Sequence, residues 1–163
     1  MTDLVMAIDE AGFRKAMSHF ASGVTVVTTA HGGERFGMTV AAFSSLSLRP
    51  PLVLICIEKP VKTHDAIVKA ESFAVNILSA AQQDISTKFA TRSDDRFAGV
   101  SVRQGRLDLP LIEGSLVSIE CRLHASLPGG DHTIFVGEVI GAHMTDEEDP
   151  LIYFRSGYRK ISS

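Results

Sequence analysis

A run of small and hydroxylated residues at 37–45 is the stretch of this sequence best suited to bind a flat ligand. Little side-chain bulk covers the backbone there, so its N–H and C=O groups are open to a planar, hydrogen-bonding molecule. Pro50 and Pro51 fix φ and lack backbone donors, which stiffens the exit from the segment. The same composition would also suit an ordinary serine-rich connection between two strands. The small residues are Gly37, Thr39, Ala41, Ala42, Ser44 and Ser45.

A second candidate is an anion site at the start of a predicted helix. Thr63 is a good N-cap for a short helix that runs to about Ala70, and Asp65 falls in its first turn. The unpaired N–H groups and the dipole at a helix N-terminus favour a bound phosphate. Lys62 stands beside this terminus and Lys88 lies on the next predicted helix, so either could add positive charge. The alternative is an ordinary cap with two solvated lysines.

Asn76 is the one polar residue in the apolar segment 73–78. A buried amide left without partners costs about 1–3 kcal/mol, so backbone groups or a ligand must satisfy it. The sequence leaves both alternatives open. Cys56 could line a ring-binding surface, although a cysteine in an apolar strand is more commonly a small core residue.

The other reactive side chains form no pattern typical of hydrolytic or metal chemistry. The six histidines show no ligand spacing with Cys56 or Cys121, so no metal site is expected. No Ser/His/Asp or Cys/His spacing and no pair of carboxylates indicates hydrolysis. Both cysteines are expected to stay unpaired, as in a reducing compartment.

An N-terminal helix is predicted from Asp9, a good cap, to a stop near Gly23. Its apolar residues Phe13, Met17 and Phe20 recur at spacings of four and three residues. This spacing places them on one side of the helix. They therefore predict an apolar stripe that faces a core.

Several segments have the composition and periodicity of strands. The run 52–57 is apolar at every position, which predicts a strand covered on both faces. Residues 115–127 alternate between apolar and polar, which predicts a half-buried antiparallel strand. Further strands are predicted at 24–30, from Phe36 onward, at 73–78, at 133–142 and at 151–154. Turns at 31–34, with two glycines, and at 128–131 precede the second and fourth of these strands. Residues 145–149 are predicted to form a solvated acidic loop.

The segments between these strands add two short helices and one long loop. Ser79 and Gln82 predict a capping box, and Ile85 with Phe89 gives the helix that follows an apolar face. Residues 91–106 have mixed charge and no period. A loop of that length is more commonly functional, or covered by a partner, than a plain connector.

Length and charge narrow the class of protein. A chain of 163 residues with net charge −3 fits one domain with a substantial core, and it has no basic field for nucleic acid or anionic lipid. The first residues lack the pattern of a signal peptide, and the longest apolar run is too short to cross a bilayer. A cytoplasmic protein is therefore expected.

The order of the elements favours a mainly β fold, a small closed barrel with helices at its ends. Alternating βαβ units are not indicated. No Gly-x-Gly-x-x-Gly follows a strand, so a Rossmann nicotinamide site is not supported. An enzyme of this kind must hold any NAD(P)H in another way.

A series of short motifs runs through the chain: residues 20–29, Gly37-Met38-Thr39, residues 43–48, Pro50-Pro51-Leu52, residues 73–78, Gly129-Gly130-Asp131-His132, and residues 150–155 with Gly157-Tyr158. In the residues of these motifs and in their order, the chain resembles the short-chain flavin reductases. The resemblance extends from about Phe13 to Tyr158. These are NAD(P)H:flavin oxidoreductases that serve two-component monooxygenases. The resemblance implies an FMN-binding split β-barrel with short peripheral helices, one domain over residues 1–163, and a homodimer with the flavin near the subunit interface.

The resemblance also implies the reaction and its residues. NADH or NADPH would pass a hydride from nicotinamide C4 to N5 of FMN or FAD, and the reduced flavin would go to a partner monooxygenase. The protein then positions two rings, and no residue is assigned a covalent or acid–base role. The expected flavin contacts are Met38, Thr39, Val40, Ala42, Ser44, Ser45, Cys56, Thr63, Asn76, Lys88 and Phe89. The expected nicotinamide contacts are His132 and Tyr158.

Two other functions are compatible with the sequence. One is a flavin-binding electron carrier or sensor on the same barrel. The Gly130-Asp131-His132 match argues against it, because only a reductase needs a nicotinamide site. The other is a reductase of a non-flavin acceptor, such as a corrinoid or a metal complex. A shared fold does not decide between acceptors.

Overall fold

The computed structural model describes residues 5, 8–147 and 149–162, and it is mainly β, with 49% strand and 18% helix. The first residues, which the sequence analysis found to lack a signal-peptide pattern, lie outside this range at 1–3. Glu148 of the acidic loop also lies outside it. Within it, the helices are α1 (Glu10–Met17), α2 (Lys62–Ala70) and α3 (Gln83–Ala90), with a 3-10 turn at Ala80–Gln82 before α3. The strands are β1 (Ser22–Gly23), β2 (Thr25–His31), β3 (Glu34–Val40), β4 (Phe43–Leu48), β5 (Pro51–Glu58), β6 (Ser72–Ile77), β7 (Val102–Gln104), β8 (Pro110–Ile112), β9 (Val117–Gly129), β10 (His132–Met144), β11 (Ile152–Phe154) and β12 (Gly157–Arg159).

The large sheet is antiparallel, with the strand order β3-β2-β6-β9-β10-β5-β4. Its outer strands β3 and β4 are nevertheless consecutive in the chain. A flat sheet of this width would separate them by roughly 29 Å. The connection from Val40 to Phe43 can span at most about 11 Å. The sheet must therefore curl strongly to bring its two edges together.

The interior of the curled sheet holds the main apolar core. Val27, Ile55, Phe73, Val75 and Phe135 are among its fully buried residues. A second cluster lies under α3 and includes Phe89 and Phe97, and α2 packs against β2 and β3. Among the described residues, no helix combines the length and apolar character that a membrane crossing needs.

The alternation in 115–127 correctly predicted the strand β9. The predicted exposure of its polar side chains is confirmed only in part. Ser118 and Glu120, expected on the solvated face, are buried. Ser118 Oγ donates to Asn76, and a Glu120 carboxylate oxygen accepts from the Leu107 N–H. The chain between β7 and β8 covers this end of the sheet. From Arg122 onward the polar face is exposed, as predicted.

The apolar stripe of α1 does not face a core, so that prediction is wrong for this chain by itself. Phe13 is 57% exposed, Met17 53% and Phe20 75%. Asp9 does cap the helix through a 2.7 Å bond from the Gly12 N–H. The helix ends at Met17, not near Gly23, which lies in β1.

Strand β5 is covered on one face only, which corrects the prediction of two covered faces. Val53, Ile55 and Ile57 are buried in the main core. Leu54 and Cys56, on the other face, are only half-buried. Together with the α1 stripe, this face leaves apolar surface available for another molecule.

The segment 91–106 is less irregular than predicted. It contains β7, and Phe97 within it is only 6% exposed. The predicted capping box at Ser79 and Gln82 is confirmed. Apolar burial and hydrogen bonds, rather than local periodicity, hold the long segment in place.

Candidate functional site

A cavity of about 860 Å³ opens between three segments that are far apart in the sequence. They are the first half of β3 (34–37), the connection from β5 into α2 (Glu58 and 60–63), and the segment 92–97 that follows α3. Lys62 and Thr63, predicted from the sequence as an anion site, both lie in its wall.

The N-terminus of α2 meets this cavity without a side-chain cap. The helix begins at Lys62, and its N-cap, Val61, makes no side-chain hydrogen bond. Thr63 is therefore not the predicted cap but the second helical residue, and it is only 3% exposed. Its hydroxyl is not an enclosed atom left without a partner, so the side chain by itself does not require a ligand. The uncapped N–H groups at the start of α2 are the feature that suits a bound anion.

The small-residue segment is exposed where it joins the two edge strands. Ala42, Ser44 and Ser45 are all solvent-accessible. The Ala42 carbonyl accepts a 3.1 Å bond from the Cys56 N–H, which holds the segment beside β5. Leu46 interrupts the register of β4 against β5, a bulge of the kind found next to binding sites. The surface at Ser44 and Ser45 thus stays open to a flat ligand.

The three preceding predicted residues use their side chains within the protein. Met38 packs against the main core, and Val40 is buried in it. The Thr39 hydroxyl donates to the Ser86 carbonyl at 2.6 Å and ties β3 to α3. Met38 and Thr39 are only half-buried, however, so a ligand can reach parts of their side chains as well as the backbone.

Cys56 lies beside the exposed segment, but neither cysteine is an activated nucleophile. Burial raises the pKa of the Cys56 thiol. Burial, together with the neighbouring Glu120 carboxylate, raises the pKa of Cys121 to about 12. Both thiols are therefore protonated at neutral pH, and Cys56 can offer a ring only an uncharged surface.

Asn76 has a structural role, which corrects its assignment as a flavin contact. It is fully buried, and its Nδ2 donates to the Val26 carbonyl at 3.0 Å and to Thr28 Oγ1 at 3.1 Å. Its Oδ1 accepts from the Ile112 N–H at 2.9 Å and from Ser118 Oγ at 2.8 Å. Every hydrogen-bonding position of the amide is occupied by protein, so none remains for a ligand.

Lys88 and Phe89 are also engaged by other parts of the protein. The Lys88 ammonium donates to the carbonyl of Ala98. Phe89 is fully buried and meets Phe97 edge-to-face, with 5.0 Å between ring centroids. A Cβ on Gly37 would lie 2.8 Å from the Phe89 ring, so glycine there lets the helix approach the strand. Phe89 is thus a core residue, and Lys88 anchors the segment that follows α3.

The segment 92–97 supplies site residues that the sequence did not single out. Arg96 donates to the Gly37 carbonyl at 2.7 Å and to the Thr91 carbonyl at 3.0 Å. The Arg35 guanidinium lies over the Phe97 ring, 4.8 Å from its centroid. In the sequence, only the unusual length of the segment 91–106 indicated a functional role. That length did not show which of its side chains would line the cavity.

His132 starts β10 at the end of the sheet where the cavity opens. It lies opposite Glu58 in the ladder, and the Asp131 carbonyl accepts a 3.0 Å bond from the Lys59 N–H. His132 Nδ1 is 2.7 Å from an Asp131 carboxylate oxygen. This hydrogen bond lowers the pKa of Asp131, so the carboxylate is charged at neutral pH. Nδ1 then donates to it, and in the neutral form of the ring Nε2 is an acceptor.

Tyr158, predicted as a nicotinamide contact, is half-buried and packs on α3. Its hydroxyl is 2.7 Å from Ser86 Oγ, and its ring packs against the second apolar cluster. It also meets Tyr153 edge-to-face. These contacts fasten the C-terminal hairpin to α3 and give Tyr158 a structural role.

Comparison with known proteins identifies relatives of this arrangement. The model of the flavin reductase like domain matches residues 17–162. The reductase component of 4-hydroxyphenylacetate 3-monooxygenase from Thermus thermophilus is 42% identical, over 91% of this chain and 95% of the relative. The reductase component of a 4-nitrophenol 4-monooxygenase from Rhodococcus opacus is 41% identical, over 96% of this chain and 83% of the relative.

A solved structure agrees with these relatives. The NADH:FAD oxidoreductase of Streptomyces globisporus, in complex with NAD and FAD fragments, superimposes with a TM-score of 0.93 at 38% identity. The match covers 99% of this chain and 98% of that one. Family, sequence and structural similarity therefore extend over nearly all of the molecule, and the chain belongs to the flavin reductase like family.

Proposed function

We propose that this protein is an NAD(P)H-dependent flavin reductase that supplies reduced flavin to a partner monooxygenase. The observation that carries the proposal is the start of α2, which has no side-chain cap and lies with Lys62 and Thr63 in the wall of the cavity. The cavity beside it reaches Gly37, the first residue of the small-residue segment. A flavin needs both features, an anion site and a flat open surface.

Flavin would bind with its ring against Ala42, Ser44 and Ser45 and the backbone of 38–40. Cys56 would flank the ring with a neutral thiol. The ribityl phosphate would lie at the start of α2, where Thr63 donates and Lys62 adds charge. When bound, the flavin accepts a hydride from the nicotinamide, so the protein's task is to hold the two rings in contact.

His132 is the side chain we propose for the nicotinamide. Its Nδ1 is hydrogen-bonded to Asp131, and in the neutral form of the ring Nε2 is available as an acceptor. An acceptor there suits the N–H group of the nicotinamide carboxamide. The residue would orient the donor without carrying a proton.

The same proposal includes the assembly and location of the protein. The strong curl of the sheet supports a split barrel forming one domain. The exposed stripe of α1 and the half-covered face of β5 support a symmetric homodimer. The unpaired cysteines Cys56 and Cys121 fit a cytoplasmic protein, where NAD(P)H is also found.

The proposal is tested by the oxidation of NADH and NADPH by the purified protein, with and without FMN, FAD and riboflavin. Flavin-dependent oxidation of either nucleotide under anaerobic conditions, with bleaching of the flavin, is the expected result. A protein that binds flavin but leaves it oxidised with both nucleotides would be a carrier or sensor and not a reductase.

His132→Ala is expected to slow flavin reduction, or to raise the KM for NADH, several-fold. A lost hydrogen bond to an uncharged partner accounts for roughly 0.5–1.5 kcal/mol, and poorer stacking adds to it. Stopped-flow reduction of the flavin-loaded protein over a range of NADH concentrations measures both effects. His124→Ala, an exposed histidine on β9, is the matched control. Unchanged kinetics in the His132 variant would remove the nicotinamide from this position.

Met17→Glu is expected to shift the protein from dimer toward monomer, because it places a charge in the exposed stripe of α1. Light scattering at micromolar concentration measures the mass. Lys15→Gln changes the net charge by the same amount on the opposite side of the helix and should leave the dimer intact. A wild-type monomer that binds flavin normally would contradict the proposed assembly.

A further inference from the structure

His64 is not one of the proposed flavin or nicotinamide contacts, but it connects the two elements that carry them. It is the third residue of α2 and directly follows Thr63 at the proposed phosphate position. Its Nε2 lies 2.7 Å from Thr133 Oγ1, and Thr133 directly follows His132 at the start of β10. This hydrogen bond therefore joins the start of the helix to the start of the strand.

The His64 ring is held by several contacts. Its side chain is only 14% exposed. The ring lies against that of the buried Phe135, with 5.0 Å between centroids, and its Nδ1 is 3.3 Å from a carboxylate oxygen of Asp65. With Nδ1 donating to Asp65, Nε2 of the neutral ring accepts from the Thr133 hydroxyl. A ring held in this way can fix the position of its partner.

The bond reaches β10 on the face opposite to the proposed nicotinamide contact, because successive side chains of a strand alternate between faces. In the register with β5, His132 falls on the same face of the sheet as Cys56. Thr133 falls on the face of Phe135, in the main core. His64 thus holds the start of β10 from the core side, while the other face is left to the two rings.

The start of β10 is a place where such a contact matters. His132 is the terminal residue of β10 in its ladders with both β5 and β9, next to the exposed Gly130 and Asp131. The ends of elements open at a low free energy compared with their centres. Hydride transfer requires the nicotinamide to be placed closely against the flavin, and an error of about 1 Å can slow such a reaction on the order of 100-fold.

We propose that His64 is a positioning residue for the hydride transfer. Through Thr133 it fixes the start of β10, and with it His132, relative to the start of α2, where the flavin phosphate would lie. The proposal rests on the proposed function, because the position of His132 matters only if the nicotinamide binds there.

Thr133→Val tests the bond, because valine has nearly the same shape as threonine and lacks the hydroxyl. The limiting rate of flavin reduction at saturating NADH should fall about three- to ten-fold, the effect of one lost hydrogen bond. The flavin dissociation constant should stay unchanged, and Thr133→Ser should restore most of the rate. An unchanged rate in Thr133→Val would overturn this inference and leave the proposed function intact. A wild-type protein whose flavin is not reduced by NADH or NADPH would overturn both.

His64→Phe tests the other partner, since it keeps a ring against Phe135 and removes the bond to Thr133. It should slow flavin reduction as much as Thr133→Val does. The double variant should be no slower than either single variant, because both remove the same bond. Fully additive losses would show that the two residues act independently, which contradicts the proposal.

A positioning role is distinguished from general stabilisation by two further comparisons. Added to His132→Ala, Thr133→Val should slow reduction by less than about two-fold, because its effect passes through His132. Thr29→Val is the matched control, since the buried Thr29 hydroxyl donates to the Ser72 carbonyl at 2.8 Å, outside the cavity. It should lower the unfolding temperature without changing the limiting rate. Equal slowing by Thr133→Val with and without His132, or equal slowing by Thr29→Val, would overturn the positioning role.

Discussion

Asn76→Ala is expected to lower the free energy of unfolding by about 3–5 kcal/mol, because it removes the centre of a fully satisfied buried network. Four partners would lose their bond at once: the Val26 carbonyl, the Thr28 hydroxyl, the Ile112 N–H and the Ser118 hydroxyl. These groups belong to β2, β8 and β9, so the loss loosens several strands together. Urea denaturation followed by circular dichroism measures the change.

Gln104→Ala is the matched control for this variant. Gln104 is also an amide that donates to one partner, Asp108, at 3.0 Å, but it is exposed. Its loss should change stability by less than about 0.5 kcal/mol. Flavin affinity gives a second readout for the Asn76→Ala variant. In conditions where this variant stays folded, it should bind flavin as tightly as the wild type does. Lost flavin affinity in a fully folded variant would instead return Asn76 to the binding site.

Asn76→Asp is expected to be destabilising in a pH-dependent way. The carboxylate can accept the two bonds made by Oδ1, but it cannot donate to the Val26 carbonyl unless it is protonated. Burial raises the pKa of such a carboxyl, so the folded state binds more protons than the unfolded state. The stability of this variant should therefore improve as the pH falls from 7 toward the ordinary pKa of aspartate, about 3.9. A stability difference from wild type that stays constant over this range would contradict the argument.

Ser45→Val is expected to weaken flavin binding about ten-fold or more while leaving the fold intact. Ser45 is exposed on β4 opposite Val53, and valine is well tolerated in a strand. The added methyl groups occupy the surface on which the ring would lie, and overfilling a packed contact costs about 1–3 kcal/mol. Fluorescence titration with FMN gives the affinity, and thermal unfolding without flavin checks the fold.

Ser126→Val provides the control, since Ser126 is an exposed strand serine on β9, away from the proposed ring surface. It should change neither affinity nor stability appreciably. An FMN affinity that is the same in Ser45→Val and in the wild type would mean that the ring lies elsewhere, even if the phosphate site at Thr63 is correct. Riboflavin, which lacks the phosphate, separates these two parts of the site.

The sequence by itself determined the features that depend on neighbours in the chain. The alternation in 115–127 predicted β9, and the spacing of Ser79 and Gln82 predicted a capping box, because both patterns follow from side-chain spacing along a regular backbone. Of the small residues at 37–45, Ala41, Ala42, Ser44 and Ser45 are exposed, but Gly37 is buried against Phe89, so the expected open surface is confirmed only for the second half of the segment. The motif order also identified the family.

Tertiary structure alone decided which of these residues are available to a ligand. Asn76 and Tyr158 both had suitable chemistry, but partners distant in the sequence hold their polar atoms. Lys88 and Phe89 are held by the segment that follows α3. The cavity, in contrast, combines 34–37, 60–63 and 92–97, and its arginines carried no distinctive local pattern. Burial and hydrogen-bond satisfaction depend on contacts between distant segments, which local periodicity does not encode. The exposed stripe of α1 has the same cause, since the spacing of Phe13, Met17 and Phe20 specifies an apolar face but not what covers it.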